Sequence, residues 1–269
     1  MEPLVSIIIT TKNSSRTLEK CLQSVKNQSY KNIELIVVDN NSRDMTKEIA
    51  QKYADKVFNL GPERSTQRNF GAKVSKGKYL LTHDCDIYFH KDSIKECVDL
   101  IEKEQCQAVI LSQKSIGVGF WAKVRGFEKS FYVGNDLVEA PRFFDRNIYF
   151  GIGGHDEMLN SGEDWDLSIR IREKGYKISR TTIFLEHDEG RSSLMSYLDK
   201  IKYYSPGLKI YSKKHPLEFK KQFSFFYRFP LHKIIQKGLM NPVLFGGMIF
   251  MKSLEYFIVI KFLLSENRK

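Results

Sequence analysis

Cysteine is scarce in this chain. Its four cysteines, Cys21, Cys85, Cys97 and Cys106, show neither CxxC spacing nor a framework pattern. A disulfide-stapled secreted domain is therefore not expected, and the thiols read as reduced in a cytosolic setting. Neither GxGxxG nor GxxxxGKS/T occurs, so a dinucleotide fold or a P-loop lacks its fingerprint. The opening "MEPLVSIIITT" has no basic n-region and starts a strand at once; it does not read as a signal peptide. There are no internal repeats and no low-complexity tract. Acid is in deficit: 32 Asp and Glu face 43 Lys and Arg, a formal charge of +11. Such a balance suggests an anionic partner, whether nucleic acid, a phosphate-bearing substrate or an anionic membrane.

Apolar residues are not lacking. At 42% of 269 residues they can build a sizeable core, as one large domain or one domain plus an appendage. Over the first hundred residues strands and helices alternate. "LVSIIIT" (4–10), "IELIVVDN" (33–40), "KVFNL" (56–60), "KYLLTHDCD" and "AVILSQ" (108–113) read as strands. Helices are predicted over 15–28, 44–54, 65–75 and 91–105. Short connections between them imply a mostly parallel sheet covered on both faces. From about residue 114 the pattern loosens. "EAPRFFDRNIYFGIGGHDE" reads as loop and short strand, 163–175 as a helix closed by Gly175, and "YKISRTTIFLEHDEG" as a strand and then a loop.

Ligands in such sheets sit at the carboxyl ends of strands. Asp84 and Asp86 fall at one such end, where two hard carboxylates suit Mg²⁺ or Mn²⁺ bridging to substrate phosphates. His83 points to the opposite face and reads as structural. Asp39 ends the second strand; it can accept from a ribose hydroxyl or a base N–H, or simply form an Asx turn. In "EDWD", Asp164 shares a helix face with Leu167, Ser168 and Ile171, which places it on the inward side of the first turn as a general base. Asp166 and Arg170 read instead as a surface i, i+4 pair. In "EHDEGRSS", His187 is a candidate third metal ligand, and Arg191 is suited to neutralising a phosphate.

The tail differs. Residues 200–237 carry ten Lys or Arg and one acid, Glu218, interleaved with phenylalanines. An apolar run follows over 238–251, interrupted by Pro242, and "EYFIVIKFLL" continues it with charges inside. An in-plane amphipathic anchor on an anionic membrane is expected here rather than a transmembrane helix. Because the basic residues lie beside apolar segments, lipid is favoured over nucleic acid as the partner.

Taken together, "VSIIITTKNSSRTLEKCLQSVKNQSYKNIELIVVDNNSRDMT", "RNFGAKVSKGKYLLTHDCD" and "GGHDEMLNSGEDWDLSIRIREKGYKI" resemble the inverting nucleotide-sugar glycosyltransferases of the GT-A fold. That family includes cellulose, chitin and hyaluronan synthases and dolichyl-phosphate mannose synthase. The resemblance covers residues 4 to about 190. It implies an α/β, Rossmann-like GT-A domain over 1–195, with the basic, aromatic helical extension at 196–269. It also implies roles: Thr11 and Asp39 hold the nucleotide base, Arg68 and Asn69 line the donor site, Asp84 lies near the ribose, Asp86 binds Mn²⁺ or Mg²⁺, and Asp164 deprotonates the acceptor. The expected donor is a UDP- or GDP-linked sugar. The expected acceptor is lipid-linked or a membrane-proximal glycan, at the cytoplasmic face of a membrane. Alternatives are a polyprenyl-phosphate sugar synthase and a non-catalytic sugar-nucleotide-binding membrane scaffold.

Overall fold

The computed structural model describes residues 2–265. The chain forms two compact units: one holds the chain up to Gln113 with Ala140–Glu157 and Asp164–Asp188, the other Lys114–Glu139, Met158–Glu163 and the chain from Glu189 on. Among the described residues ten strands occur in order: β1 (Val5–Thr11), β2 (Ile33–Asp39), β3 (Lys56–Asn59), β4 (Tyr79–Asp84), β5 (Ile87–Tyr88), β6 (Ala108–Ile110), β7 (Gln113–Ile116), β8 (Phe143–Asp145), β9 (Ile178–Arg180) and β10 (Leu185–Asp188).

The first unit is built on a seven-stranded sheet in the order β3-β2-β1-β4-β8-β6-β9. All seven residues of β1 are buried, as expected of a strand covered on both faces. Strands β3, β2, β1 and β4 run parallel. Strand β8 lies antiparallel to both of its neighbours, β4 and β6. Ile8, Ile36, Val38, Leu80, Ala108, Phe144, Leu167 and Ile171 form one core cluster. The expected α/β architecture is present, a mostly parallel sheet flanked by helices. Three local expectations need correction. Residues 146–151, read as loop and short strand, form a helix, Arg146–Gly151, whose N-cap Asp145 accepts from the amides of Asn147 and Ile148. His187 stands on a strand, paired with Ile87 across β10 and β5, not in a loop. Asp166 is fully buried in the helix Glu163–Glu173, so its pair with Arg170 is not a surface pair.

The second unit is helical. Val124, Phe131, Tyr197, Phe229, Met248 and Met251 form its core. Beside them lies a buried ionic cluster. Glu128 accepts from Arg125, Tyr132 and Lys252, the last at 3.0 Å. Glu255 accepts from Lys252 at 2.5 Å and from Tyr197, with Arg228 3.7 Å away. Pro242 does not interrupt the apolar tail. It opens a helix of 23 residues, Pro242–Leu264, at the first-turn position where proline's missing N–H costs nothing. That helix buries Lys252 and Glu255 beside Met248, Met251 and Val259, while Val243, Phe250, Phe257, Ile260 and Leu264 face outward.

Candidate active site

The parallel register places the candidate residues in one row. Thr11 pairs with Asp39 across β1 and β2, and Thr10 with Asp84 across β1 and β4. The carboxyl ends of three strands therefore present their side chains along one edge of the sheet. The helix Arg64–Val74 is pinned to that edge by Gln67, whose Nε2 donates to the carbonyls of Thr11 and Val38.

Asp39 is fully buried and held by Thr11 Oγ1 at 2.8 Å, by the Ser42 amide at 2.8 Å and by Ser42 Oγ at 2.5 Å. Asp39 therefore makes the Asx-type turn with Ser42 and also accepts from Thr11. His83 is buried as expected, and its Nδ1 accepts from the Asp84 amide at 2.9 Å.

A connected set of charges occupies the edge. Arg68, fully buried, donates to Asp84 Oδ1 at 2.8 Å and to Asp164 Oδ1 at 3.1 Å. Arg142 donates to Asp164 Oδ2 at 2.5 Å. Burial alone would raise the pKa of Asp164; Arg142 and Arg68 outweigh it and hold the carboxyl well below its usual range. Burial is likewise overcome at Asp84, chiefly by Arg68 and Arg64. Asn69 is the local organiser. Its Nδ2 donates to the His155 carbonyl and to Glu157 Oε1, each at 2.9 Å, and its Oδ1 accepts from the His155 amide at 2.9 Å.

Asp86 stands next to this set, with Oδ2 3.4 Å from His187 Nε2. Its Oδ1 is buried and has no hydrogen-bond partner. An orphaned carboxylate oxygen beside an imidazole fits a divalent cation, which would complete its shell with substrate phosphate oxygens and water. Among the described residues, no group of three or more His, Cys, Asp or Glu is gathered for a metal; Asp86 and His187 are the pair available.

The structure brings Arg68, Asn69, Asp84 and Asp164 into one connected network, sets Thr11 against Asp39, and sets Asp86 against His187. Arg191 is an exposed residue of the second unit. Arg142, Tyr149 and His155 were not singled out from the sequence. The histidine stands in the quoted block "GGHDE", but nothing local to that block tells that its ring meets Asp164. Arg142 reaches Asp164 from a segment whose antiparallel pairing has no sequence signal of its own.

Comparisons with known proteins bear on the family and the fold. An uncharacterized glycosyltransferase of Rickettsia typhi is 32% identical over 205 residues, covering 69% of this chain and 62% of the relative. The chain thus spans less than two thirds of that relative's length. UDP-Glc:alpha-D-GlcNAc-diphosphoundecaprenol beta-1,3-glucosyltransferase WfaP of Escherichia coli is 34% identical over 107 residues, 38% of this chain and 43% of its own. Among solved structures, a mannosyltransferase from Pyrobaculum calidifontis, in complex with GDP-Man and Mn2+, matches with a TM-score of 0.67 at 14% identity, over 98% of this chain and 88% of that one. At that identity the likeness carries the fold. The family model of glycosyl transferase family 2 matches residues 6–156, from β1 through Asn69 and the Asp84–Asp86 pair to His155. With more than half of its length matched by that model, the chain belongs to glycosyl transferase family 2.

Proposed function

We propose that the chain transfers a sugar, with inversion, from a nucleoside-diphosphate sugar to the hydroxyl of a lipid-linked or membrane-proximal glycan. The observation that supports this most is the Asp84–Arg68–Asp164 chain, with contacts of 2.8 and 3.1 Å. It joins a strand-end carboxylate suited to the donor's ribose to an ionised carboxylate suited to the acceptor. Thr11 and Asp39 would hold the base, and Asn69 would order the donor side. Asp164, kept ionised by Arg142 and Arg68, would take the proton as the acceptor oxygen attacks the anomeric carbon from the face opposite the diphosphate. Asp86 and His187 would hold Mn²⁺ or Mg²⁺, which when bound neutralises charge developing on the diphosphate. The relatives support the two ends of the reaction: the mannosyltransferase structure contains GDP-Man and Mn2+, and the name of WfaP specifies a diphosphoundecaprenol-linked acceptor.

The test is nucleotide release from a panel of UDP-, GDP- and dTDP-sugars with Mn²⁺. Asp164→Asn should cost on the order of 10²–10⁴ in rate, the usual worth of a general base, with donor affinity unchanged. Unaltered turnover in EDTA would defeat the metal-assisted mechanism. A harmless Asp164→Asn would favour a phosphate acceptor, which needs no base and would make the protein a polyprenyl-phosphate sugar synthase. Donor binding without turnover on any acceptor would leave the scaffold.

A further inference from the structure

Every polar atom of Asn69 is engaged within the protein. Nδ2 donates one hydrogen to the His155 carbonyl and one to Glu157 Oε1, each at 2.9 Å. Oδ1 accepts from the His155 amide at 2.9 Å and faces the Tyr149 hydroxyl at 2.8 Å. A side-chain amide has two donor hydrogens and two acceptor lone pairs, so Asn69 has nothing left to offer a donor sugar or its diphosphate. Two of its contacts go to one residue, because the amide pairs with both backbone groups of His155. That approach needs a glycine beside it. Gly154 has φ +66°, and a Cβ there would lie 2.6 Å from Asn69 Oδ1.

The clamp fixes where the His155 ring points. The ring is buried, with Nε2 3.2 Å from Asp164 Oδ1. Asp164 carries two guanidiniums, Arg68 and Arg142, and is ionised. Its oxygens can only accept, so the proton of this contact is on Nε2. Tyr149 Oη, 2.7 Å from Nδ1, does not alter that. Whichever of Asn69 Oδ1 and His155 Nδ1 takes the hydroxyl proton, Nε2–H donates to Asp164.

The donors around the carboxylate are unevenly shared. Oδ1 accepts from Arg68 Nη1 at 3.1 Å and from His155 Nε2 at 3.2 Å. Oδ2 accepts from Arg142 Nη2 at 2.5 Å. Of the roughly four lone-pair sites of a carboxylate, the one left open is on Oδ2. A hydroxyl that gives up its proton has that oxygen to meet. Without the ring, Oδ1 has an open site as well, and the acceptor has two oxygens to approach where the chemistry needs one.

We propose that Asn69 is a positioning residue that acts through the His155 backbone: it holds Nε2–H on Asp164 Oδ1 and so reserves Oδ2 for the acceptor hydroxyl. This rests on Asp164 being the base. Asn69 itself touches neither substrate. The order it brings to the donor side is indirect, through the helix it shares with Arg68, which also meets Asp84. The turn it clamps is braced from the other side by Arg170, which donates to the carbonyls of Ile152 and Gly154.

The experiment is a double-mutant cycle on Asn69→Ala and His155→Phe, with His155→Gln and Asp164→Asn beside it. The probe is the sugar nucleotide from which the wild type releases nucleotide with Mn²⁺, water serving as the acceptor; kcat and donor KM are measured for each variant below its melting temperature. Asn69→Ala and His155→Phe should each lower kcat roughly tenfold or more, the scale of loss when a reacting group is slightly misplaced, with donor KM unchanged. The double variant should lose no more than His155→Phe alone, because Asn69 has no other route to the base. His155→Gln keeps an N–H donor and should recover most of the loss. A raised donor KM at steady kcat in Asn69→Ala would make Asn69 a donor ligand and overturn the proposal. So would losses that add in the double variant, or no loss at all. If Asn69→Ala or His155→Phe fails to fold, as judged by its melting curve, His155→Gln decides: a loss of roughly tenfold or more with the donor N–H retained defeats the clamp. Asp164→Asn separates the two ideas. If it is harmless the base assignment has failed, whereas its full loss beside additive losses in the cycle defeats the positioning role alone.

Discussion

His83 and Asp84 are adjacent in the chain, yet their surroundings act on them differently. Burial is the first cause at both. At Asp84 the arginines overcome it and keep the charge. At His83 burial and Arg142 act together and lower the pKa from 6.5 to about 3. A folded-state value below the unfolded one means that the unfolded chain binds the extra proton first. The stabilising contribution is complete above pH 6.5 and is lost as pH falls from there towards 3. The slope is about 1.4 kcal/mol per pH unit for each such group. Urea unfolding at pH 7, 6, 5 and 4 should therefore show stability falling with acid, and His83→Gln should flatten that fall. An equal slope in the variant would mean that His83 is not the group responsible. Asp84, Asp86 and Asp164 were legible in the sequence because a carboxylate at a strand end or a helix start stands out in one dimension. Arg142 and His155 were not, because each takes its place only through contact with Asp164, which the local pattern around them does not announce.

At the scale of elements, the helix Glu163–Glu173 follows its sequence pattern closely: Leu167, Ser168 and Ile171 are buried on one face, with Asp164 at the first turn. Pattern alone did not reveal that the helix is covered on a second side. Arg170 bonds Asp166 at 2.7 Å and also donates to the carbonyls of Ile152, at 2.5 Å, and Gly154, at 2.6 Å. It braces the turn that leads to His155. Because Asp166 is fully buried, Asp166→Asn leaves a guanidinium without its counter-charge. The expected cost is on the order of 3 kcal/mol, against about 0.2–0.5 kcal/mol for an exposed pair. Thermal unfolding would measure it, and a change below about 0.5 kcal/mol would show that the pair is effectively solvated. Strand β10 has the same origin as a surprise. "LEHD" has no apolar alternation, so only its pairing with β5 makes it a strand.

At the scale of the whole molecule, the tail carries two chemistries on one helix. Pro242–Leu264 is long and apolar enough, by length and composition, to cross a membrane. Yet Met248, Met251 and Val259 are buried, and Lys252 and Glu255 join the buried ionic cluster of the second unit. A charge pair at positions 252 and 255 would be costly in hydrocarbon and is satisfied where it lies. The outward face is apolar: Val243 is 71% exposed, Phe257 68% and Leu264 76%. One helix face in a protein core and the other facing outward suits a helix lying in the plane of a membrane surface, with the lysines of residues 200–237 contributing ~1 kcal/mol each near anionic lipid. Deleting residues from 216 on would remove Met248, Met251 and Lys252 from the core and tell nothing of lipid. The discriminating variant instead changes Phe250, Phe257, Ile260 and Leu264 to serine. If the outward face meets a bilayer, this variant should keep the wild-type melting temperature and donor affinity and stop sedimenting with anionic liposomes. In the wild type, high salt should release only part of the bound protein, because salt screens the lysines and leaves the apolar term intact. Wild-type protein that ignores anionic liposomes at low salt, or a serine variant that binds them as well as wild type, would show that this face is not a membrane contact.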